Sequence, residues 1–162
     1  MAGGGVRIYY CSVRGLRSKL SELELLAEGP VRYDIIAFTE PWLDDTFNNA
    51  ILPTVIKNNY QIYRSDRAQD SHGGVVFVSY LYPSIEIMLG PLVHIEATAF
   101  KICSPNPLNF CFVYRPPGTS QNCLPELKKL FKNFTETRSR LFLWYSPYSA
   151  TVPLAPPKNT RF

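Results

Sequence analysis

Histidine is nearly missing from this chain, which holds two, His72 and His94, among 162 residues. Neither stands at ligand spacing from the four cysteines, Cys11, Cys103, Cys111 and Cys123, and no two cysteines form a CxxC pair. That excludes a structural zinc site as an expectation and leaves the cysteines as small apolar residues for burial, not a disulfide framework. No apolar run comes near the roughly 20 residues that a membrane helix needs. The opening Met1-Ala2-Gly3-Gly4-Gly5 lacks the apolar stretch of a secretory signal, and Ala2 stands where myristoylation needs glycine. Without such a signal, the formal glycosylation sequon Asn133-Phe134-Thr135 reads as chance. The expectation is an intracellular chain with no membrane partner. A dominant charge is absent too: 17 Lys and Arg against 13 Asp and Glu leave a net +4, which permits a polyanionic partner without demanding one.

What is present is a globular composition, 46% hydrophobic and 19% charged, in a length that fits one domain with a real core. Val6 to Cys11 is rich in β-branched and aromatic residues and predicts a strand. Leu16, Leu20, Leu23 and Leu26 recur at helical spacing until Gly29-Pro30 stops the pattern. Asp34-Ile35-Ile36-Ala37-Phe38-Thr39-Glu40 is then an apolar run without alternation, the pattern of a strand covered on both faces. Strand, helix and strand in this order predict a βαβ unit, whose parallel strands end on the same side, near Ser12 and near Glu40.

Five further strand candidates follow: Tyr60 to Arg64, Gly74 to Tyr80, Ile85 to Leu89, Val93 to Ile102 and Asn109 to Tyr114. Their short connections suggest antiparallel hairpins. Leu124 to Phe134 returns to helix, with Leu124, Leu127, Phe131 and Phe134 on one face and Lys128, Lys129 and Lys132 outside, and Arg140 to Tyr145 begins another strand. The order predicts an α+β chain, an α/β sandwich of two packed mixed sheets with outer helices. The domain would span residues 6–145. Residues 146–162, with Pro147, Pro153, Pro156 and Pro157 and no periodicity, would form an unpacked tail.

Chemistry-bearing residues gather at the strand ends. Glu40 is a carboxylate at the carboxyl end of a buried strand, where open α/β sheets place their sites, although an exposed acid opening a loop would read the same. Cys11-Ser12-Val13-Arg14-Gly15-Leu16-Arg17-Ser18-Lys19 turns from strand to helix and offers backbone N–H groups with Arg14, Arg17 and Lys19 to a phosphate; an ordinary solvated helix start fits equally. Tyr63-Arg64-Ser65-Asp66-Arg67 is either a structural ion pair or a phosphate clamp. Tyr114-Arg115-Pro116-Pro117 ends a strand in a rigid loop, with a phenol for an anionic oxygen and Arg115 for a nucleic-acid backbone. A carboxylate, a tyrosine and several arginines together suit metal-assisted hydrolysis of a phosphodiester, with Glu40 holding Mg²⁺. No general base is evident.

The order of these motifs resembles the endonuclease/exonuclease/phosphatase superfamily, and within it the apurinic-like endonuclease domain of non-LTR (LINE-type) retrotransposons. Ile8 to Lys19 is similar to its opening Asn-x-Arg-Gly-Leu segment, and Tyr33 to Leu43 to its metal-glutamate motif. Tyr63 to Arg67, followed by His72-Gly73-Gly74-Val75, resembles the next block, and Phe112 to Pro117 the active-site tyrosine block. The resemblance implies a DNase I-like two-sheet sandwich with its site at one edge. It also implies Mg²⁺-dependent nicking of double-stranded DNA, a reverse transcriptase domain downstream, and work in the nucleus. Glu40 takes the place of the metal ligand and Tyr114 that of the tyrosine touching the scissile phosphate. Ser12 stands where the family has asparagine, and Arg14, Arg64, Arg67 and Arg115 are the implied nucleic-acid contacts.

The chain departs from that pattern downstream. The family's next strand ends in Gly-Asp-Phe-Asn, whereas here Leu141-Phe142-Leu143 runs into Trp144-Tyr145-Ser146-Pro147, and the later Asp-His pair has no counterpart. The abrupt change fits a shifted reading frame or a mis-spliced gene. The expectation is an amino-terminal portion of such an endonuclease that lacks its general base, is inactive as written and, short of its last strands, is poorly soluble. Two other readings stay open. One is a retained remnant that binds DNA or protein without catalysis, the other a phosphoesterase of the same fold acting on small phosphate esters.

Overall fold

The computed structural model describes residues 6–43, 51–57, 59–66, 73–116, 123–135 and 140–146, with the side chains of 66, 73, 75, 135 and 140–146 excepted. The βαβ unit opens the chain as expected. Strand β1 (Ile8–Ser12) leads through a 3-10 turn (Arg17–Lys19) into helix α1 (Leu20–Glu28) and then β2 (Ile35–Thr39). Gly29 ends α1 by donating its N–H to the Leu25 carbonyl at 2.8 Å, so close that a Cβ at Gly29 would meet that oxygen at 2.3 Å. A short helix that sequence patterning did not suggest, α2 (Leu52–Val55), comes before β3 (Tyr60–Asp66) and β4 (Gly73–Ser79). Then follow β5 (Ser84–Glu86), β6 (Glu96–Ile102), β7 (Leu108–Tyr114), helix α3 (Cys123–Thr135) and β8 (Arg140–Ser146).

The strands form two four-stranded sheets, in the orders β1-β2-β4-β3 and β5-β6-β7-β8. In the first, β1 and β2 are parallel and the other pairs antiparallel. In the second, β7 and β8 are parallel, joined across α3, and the other pairs antiparallel. Each sheet thus carries one helix-linked parallel pair at one edge. The mixed two-sheet sandwich is the architecture the sequence predicted.

Period-2 alternation sorts the side chains into layers. Tyr9, Ile36, Phe38 and Phe77 face outward onto α1 and α2, joined by Leu23, Ala27, Leu52 and Ile56. Ile35, Ala37, Val76 and Val78 face inward, against Phe100, Ile102, Phe110 and Phe112 of the second sheet. Phe100 is the hub of this middle layer, stacked on Tyr63 at 5.4 Å, on Phe110 at 5.2 Å and on Phe112 at 6.3 Å. A third layer packs Cys123, Leu130 and Phe134 of α3 on Ala97, Ala99, Cys111 and Val113. All five residues of β2 are buried, as expected for a strand covered on both faces.

Several expectations need correction. On α3 the inward stripe is Cys123, Leu127, Leu130 and Phe134, while Leu124 and Phe131 are exposed. Both stripes fit helical spacing, and counting Cys123 as apolar is what selects the observed one. The strand predicted from Ile85 to Leu89 shrinks to three residues, and the one from Val93 begins only at Glu96. Cys111 and Cys123 are buried as expected, with burial pushing the Cys111 thiol up to about 12, but Cys103 is exposed and Cys11 half-buried. Residues 147–162, most of the proline-rich segment, lie outside the described residues. Among the described residues no helix is long and apolar enough to cross a membrane.

Candidate active site

Because β1 and β2 are parallel with Ser12 in register with Thr39, the chain leaves both strands at the same edge of the sandwich. Two loops then run side by side. Val13 N–H donates to the Thr39 carbonyl at 3.0 Å, Gly15 to that of Glu40 at 2.9 Å and Leu16 to that of Pro41 at 2.8 Å. Lys19 Nζ also donates to the Val13 carbonyl. The zipper holds three non-glycine residues in left-handed backbone: Arg14 (φ 44°), Glu40 (φ 54°) and Trp42 (φ 51°). Such conformations cost about 1–3 kcal/mol each and persist where the surroundings over-determine them. Here the paired carbonyls and N–H groups do so.

The turn at Glu40 sends its side chain inward, leaving the residue 6% exposed. Its Oε1 accepts the hydroxyl proton of Tyr114, the last residue of β7, so the bond closes the gap between the sheets. On the other oxygen, Ser12 Oγ donates to Oε2 at 3.4 Å and Arg14 Nε lies 3.7 Å away. The reading of Glu40 as an exposed loop acid is thereby ruled out. Three of the sequence candidates, Ser12, Arg14 and Tyr114, converge on one carboxylate.

Sequence reasoning missed the polar floor beneath this group. Glu96, 6% exposed, is in register with Tyr114 across the β6–β7 pair. Alternation puts Glu96 and Thr98 on the inner face of the second sheet, opposite Thr39 and Gly74 of the first. These residues and Tyr114 border a void of about 10 Å³, and the hydroxyls of Thr39 and Thr98 are buried there without a hydrogen-bond partner among the described residues. Gly74 permits the close approach, since a Cβ would lie 3.0 Å from Thr98 Oγ1. A glutamate at the start of a long apolar strand was the available signal.

The remaining candidates are more dispersed. Arg64 is half-buried, its Nε screened from solvent, and borders a cavity of about 250 Å³ with Ser65, Glu86 and Glu96. Neither Glu40 nor Tyr114 lines that cavity. Arg115 follows Tyr114 and is half-buried. Arg67, His72 and the side chain of Asp66 lie outside the described residues, as do the side chains of Trp144 to Ser146. The backbone nevertheless places Ser146 in register with Tyr114, at the strand end where the resemblance expects Gly-Asp-Phe-Asn.

A carboxylate–histidine pair, not evident in the sequence, is present. Glu126, in the first turn of α3, accepts the backbone N–H groups of Val93 (2.9 Å), His94 (3.0 Å) and Ile95 (3.2 Å), and its Oε1 lies 3.2 Å from His94 Nδ1. Burial pushes its acidity one way, but the Val93 and His94 N–H groups and the His94 ring outweigh it and hold the carboxyl below the usual range. The four contacts pin α3 to the segment that leads into β6.

Among the described residues no three His, Cys, Asp or Glu side chains gather as a complete metal cage. Mg²⁺ does not require one, since it binds through one or two carboxylates together with substrate phosphate and water. One buried carboxylate beside a hydroxyl fits that kind of site.

Solved structures share this fold. The chain superposes on the endonuclease domain of TRAS1, a telomere-specific non-LTR retrotransposon, with a TM-score of 0.58 at 15% identity, covering 86% of this chain and 57% of that one. A variant of the 3′ phosphatase NExo from Neisseria, bound to a product DNA hairpin, gives 0.60 at 16% identity over 86% and 56%. D. rerio TDP2 complexed with single-strand DNA product gives 0.57 at 14% over 86% and 58%. The chain thus spans less than two thirds of the length of these proteins. No family profile and no curated protein matches the sequence. The fold is the DNase I-like two-sheet sandwich that these solved structures share. The solved structures that share it include an endonuclease domain, a 3′-5′ exonuclease and a 3′ phosphatase.

Proposed function

We propose that this chain is the phosphate-gripping portion of a DNA phosphodiesterase of the retrotransposon endonuclease type, made for Mg²⁺-dependent nicking of double-stranded DNA. The observation that carries the reading is the Tyr114–Glu40 bond with Ser12 and Arg14 on the same buried carboxylate. Glu40 and Ser12 would hold Mg²⁺, which when bound polarises a phosphate oxygen. Tyr114, whose hydroxyl already donates to an anionic oxygen, turns that donor to a phosphate oxygen of the substrate. Arg14 and Arg115 neutralise phosphate charge and fix the strand's register without reading its sequence.

Hydrolysis also needs a group to take the proton of the attacking water. In this reading that role belonged to the strand end now occupied by Trp144-Tyr145-Ser146. Losing a general base costs about two to four orders of magnitude in rate. The chain is therefore a DNA binder with little or no residual nicking.

Supercoiled plasmid incubated with the full chain and Mg²⁺ tests this. Salt-sensitive DNA binding, with any nicking abolished by EDTA and by Glu40→Gln, supports the reading. Cleavage that persists in Glu40→Gln, or release of phosphate from small esters without DNA binding, overturns it.

A further inference from the structure

Trp42 stands apart from its neighbours in the site loop. Pro41 and Leu43 on either side are buried, yet Trp42 is 41% exposed. Left-handed backbone is a genuine outlier for so bulky a residue, so the outward position is imposed, not incidental. The inner edge of the indole rests on Gly15, with Cε3 3.2 Å and Cζ3 3.7 Å from where a Cβ would stand. Gly15 has φ +95°, so one glycine supplies both the turn and the seat for the ring. The Gly15–Glu40 and Leu16–Pro41 hydrogen bonds lock that seat to the backbone of the buried carboxylate. Arg14, with its guanidinium on Glu40, lies next to Gly15.

Other exposed apolar residues, such as Leu81, Met88 and Val93, lie in turns and connections without such a seat. A single aromatic face is too small for a protein interface, which needs a contiguous patch. An exposed indole whose seat is bonded to the backbone of Glu40 and adjoins Arg14 in the chain is instead the combination that receives a nucleobase while the adjoining phosphate is held. Every base offers a π-face, and stacking on aromatic side chains is how strands are held without sequence preference.

We propose that Trp42 is a stacking platform for one nucleobase next to the phosphate held at Glu40 and Tyr114, and that it favours strands in which that base is unpaired. A base inside a duplex has both faces covered by its neighbours, so the ring engages only an unpaired one that is flipped out, gapped or overhanging. The proposal rests on the reading of the site as a DNA-phosphate site and adds substrate selection to it.

The test compares binding of the full chain to a fluorescently labelled blunt duplex and to the same duplex with one unpaired nucleotide, by anisotropy at low salt. Trp42→Phe and Trp42→Leu are measured alongside the wild type, with their urea transitions confirming that each variant is folded. The expected result is a preference of the wild type for the unpaired base. Trp42→Leu should weaken that complex about 5- to 100-fold while leaving duplex affinity unchanged, with Trp42→Phe between the two. In a Trp144→Phe background, the remaining indole emission should be quenched only by the unpaired-base strand. Equal affinities of wild type and Trp42→Leu for both strands overturn stacking and leave the DNA-phosphate reading intact. Equal weakening on both strands makes Trp42 a loop-positioning residue and also overturns stacking. A wild type that binds neither strand overturns both readings together.

Discussion

Tyr114 and Glu40 stand 74 residues apart, at the ends of strands from different sheets, yet the phenol of one donates to the buried carboxylate of the other. The bond satisfies a buried carboxylate, and in the proposed function its donor is the one that a bound phosphate would compete for. Removing it tests both sides.

Tyr114→Phe takes that donor from the buried Glu40 Oε1 while keeping the ring's packing. The expected cost is about 1–3 kcal/mol, the penalty for stripping a buried acceptor of its partner. Urea unfolding at neutral pH measures it. A variant as stable as the wild type would mean that the two groups do not meet in solution.

Mg²⁺ should stabilise the wild type through Glu40. At about tenfold excess over its Kd a ligand adds about 1.4 kcal/mol, enough to raise the melting temperature by a few degrees. Glu40→Gln should lose that increment, and Ca²⁺ and Mg²⁺ titrations by thermal shift would reveal it. An identical rise in the variant would place the metal elsewhere.

The Glu126 clamp makes stability depend on acid. Its carboxyl is held below the ordinary range, so in mildly acidic solution the unfolded chain binds the proton first. The contribution is complete above the ordinary glutamate value of about 4.3 and is lost as pH falls through the lower folded value. The urea midpoint of the wild type should therefore drop on acidification. Glu126→Gln should be destabilised at neutral pH, with its deficit narrowing as the pH falls. A deficit that widens in acid would reverse the sign and refute the clamp.

Gly15→Ala places a methyl group 3.2 Å from the Trp42 ring at φ +95°. The left-handed penalty alone is about 1–2 kcal/mol. Because the strain sits in the zipper, the melting temperature should fall, and near-ultraviolet circular dichroism should register the displaced indole. Gly90→Ala, with Lys129 Nζ at 3.7 Å as its nearest contact, serves as the tolerant control.

The parts legible in the sequence were those with local signatures. An unbroken apolar run gave β2 and hence the position of Glu40, and the helix between β1 and β2 made the two strands parallel, which brought Ser12 to the same edge. Tyr114 was visible as the last residue of an apolar strand meeting prolines. What stayed hidden depends on pairing between distant segments. The Glu96–Tyr114 register is set by the β6–β7 pairing, and the Thr39–Thr98 floor and the four contacts of Glu126 arise only when the sheets and α3 have docked. The left-handed turns at Glu40 and Trp42 were hidden for another reason, since neither residue type announces positive φ. On α3 two apolar stripes had the right period, and only the packing of Cys123 decided between them.

The bond across the sandwich also carries a temporal meaning. Either sheet formed alone presents half of a ligand set: Glu40, Ser12 and Arg14 without a phenol, or Tyr114 and Glu96 without the carboxylate that Tyr114 grips. Contacts between such distant parts of a chain are slow to form. In the proposed function, competence to grip a phosphate thus waits for the two sheets to close on each other, and a chain with only one sheet formed has no such grip.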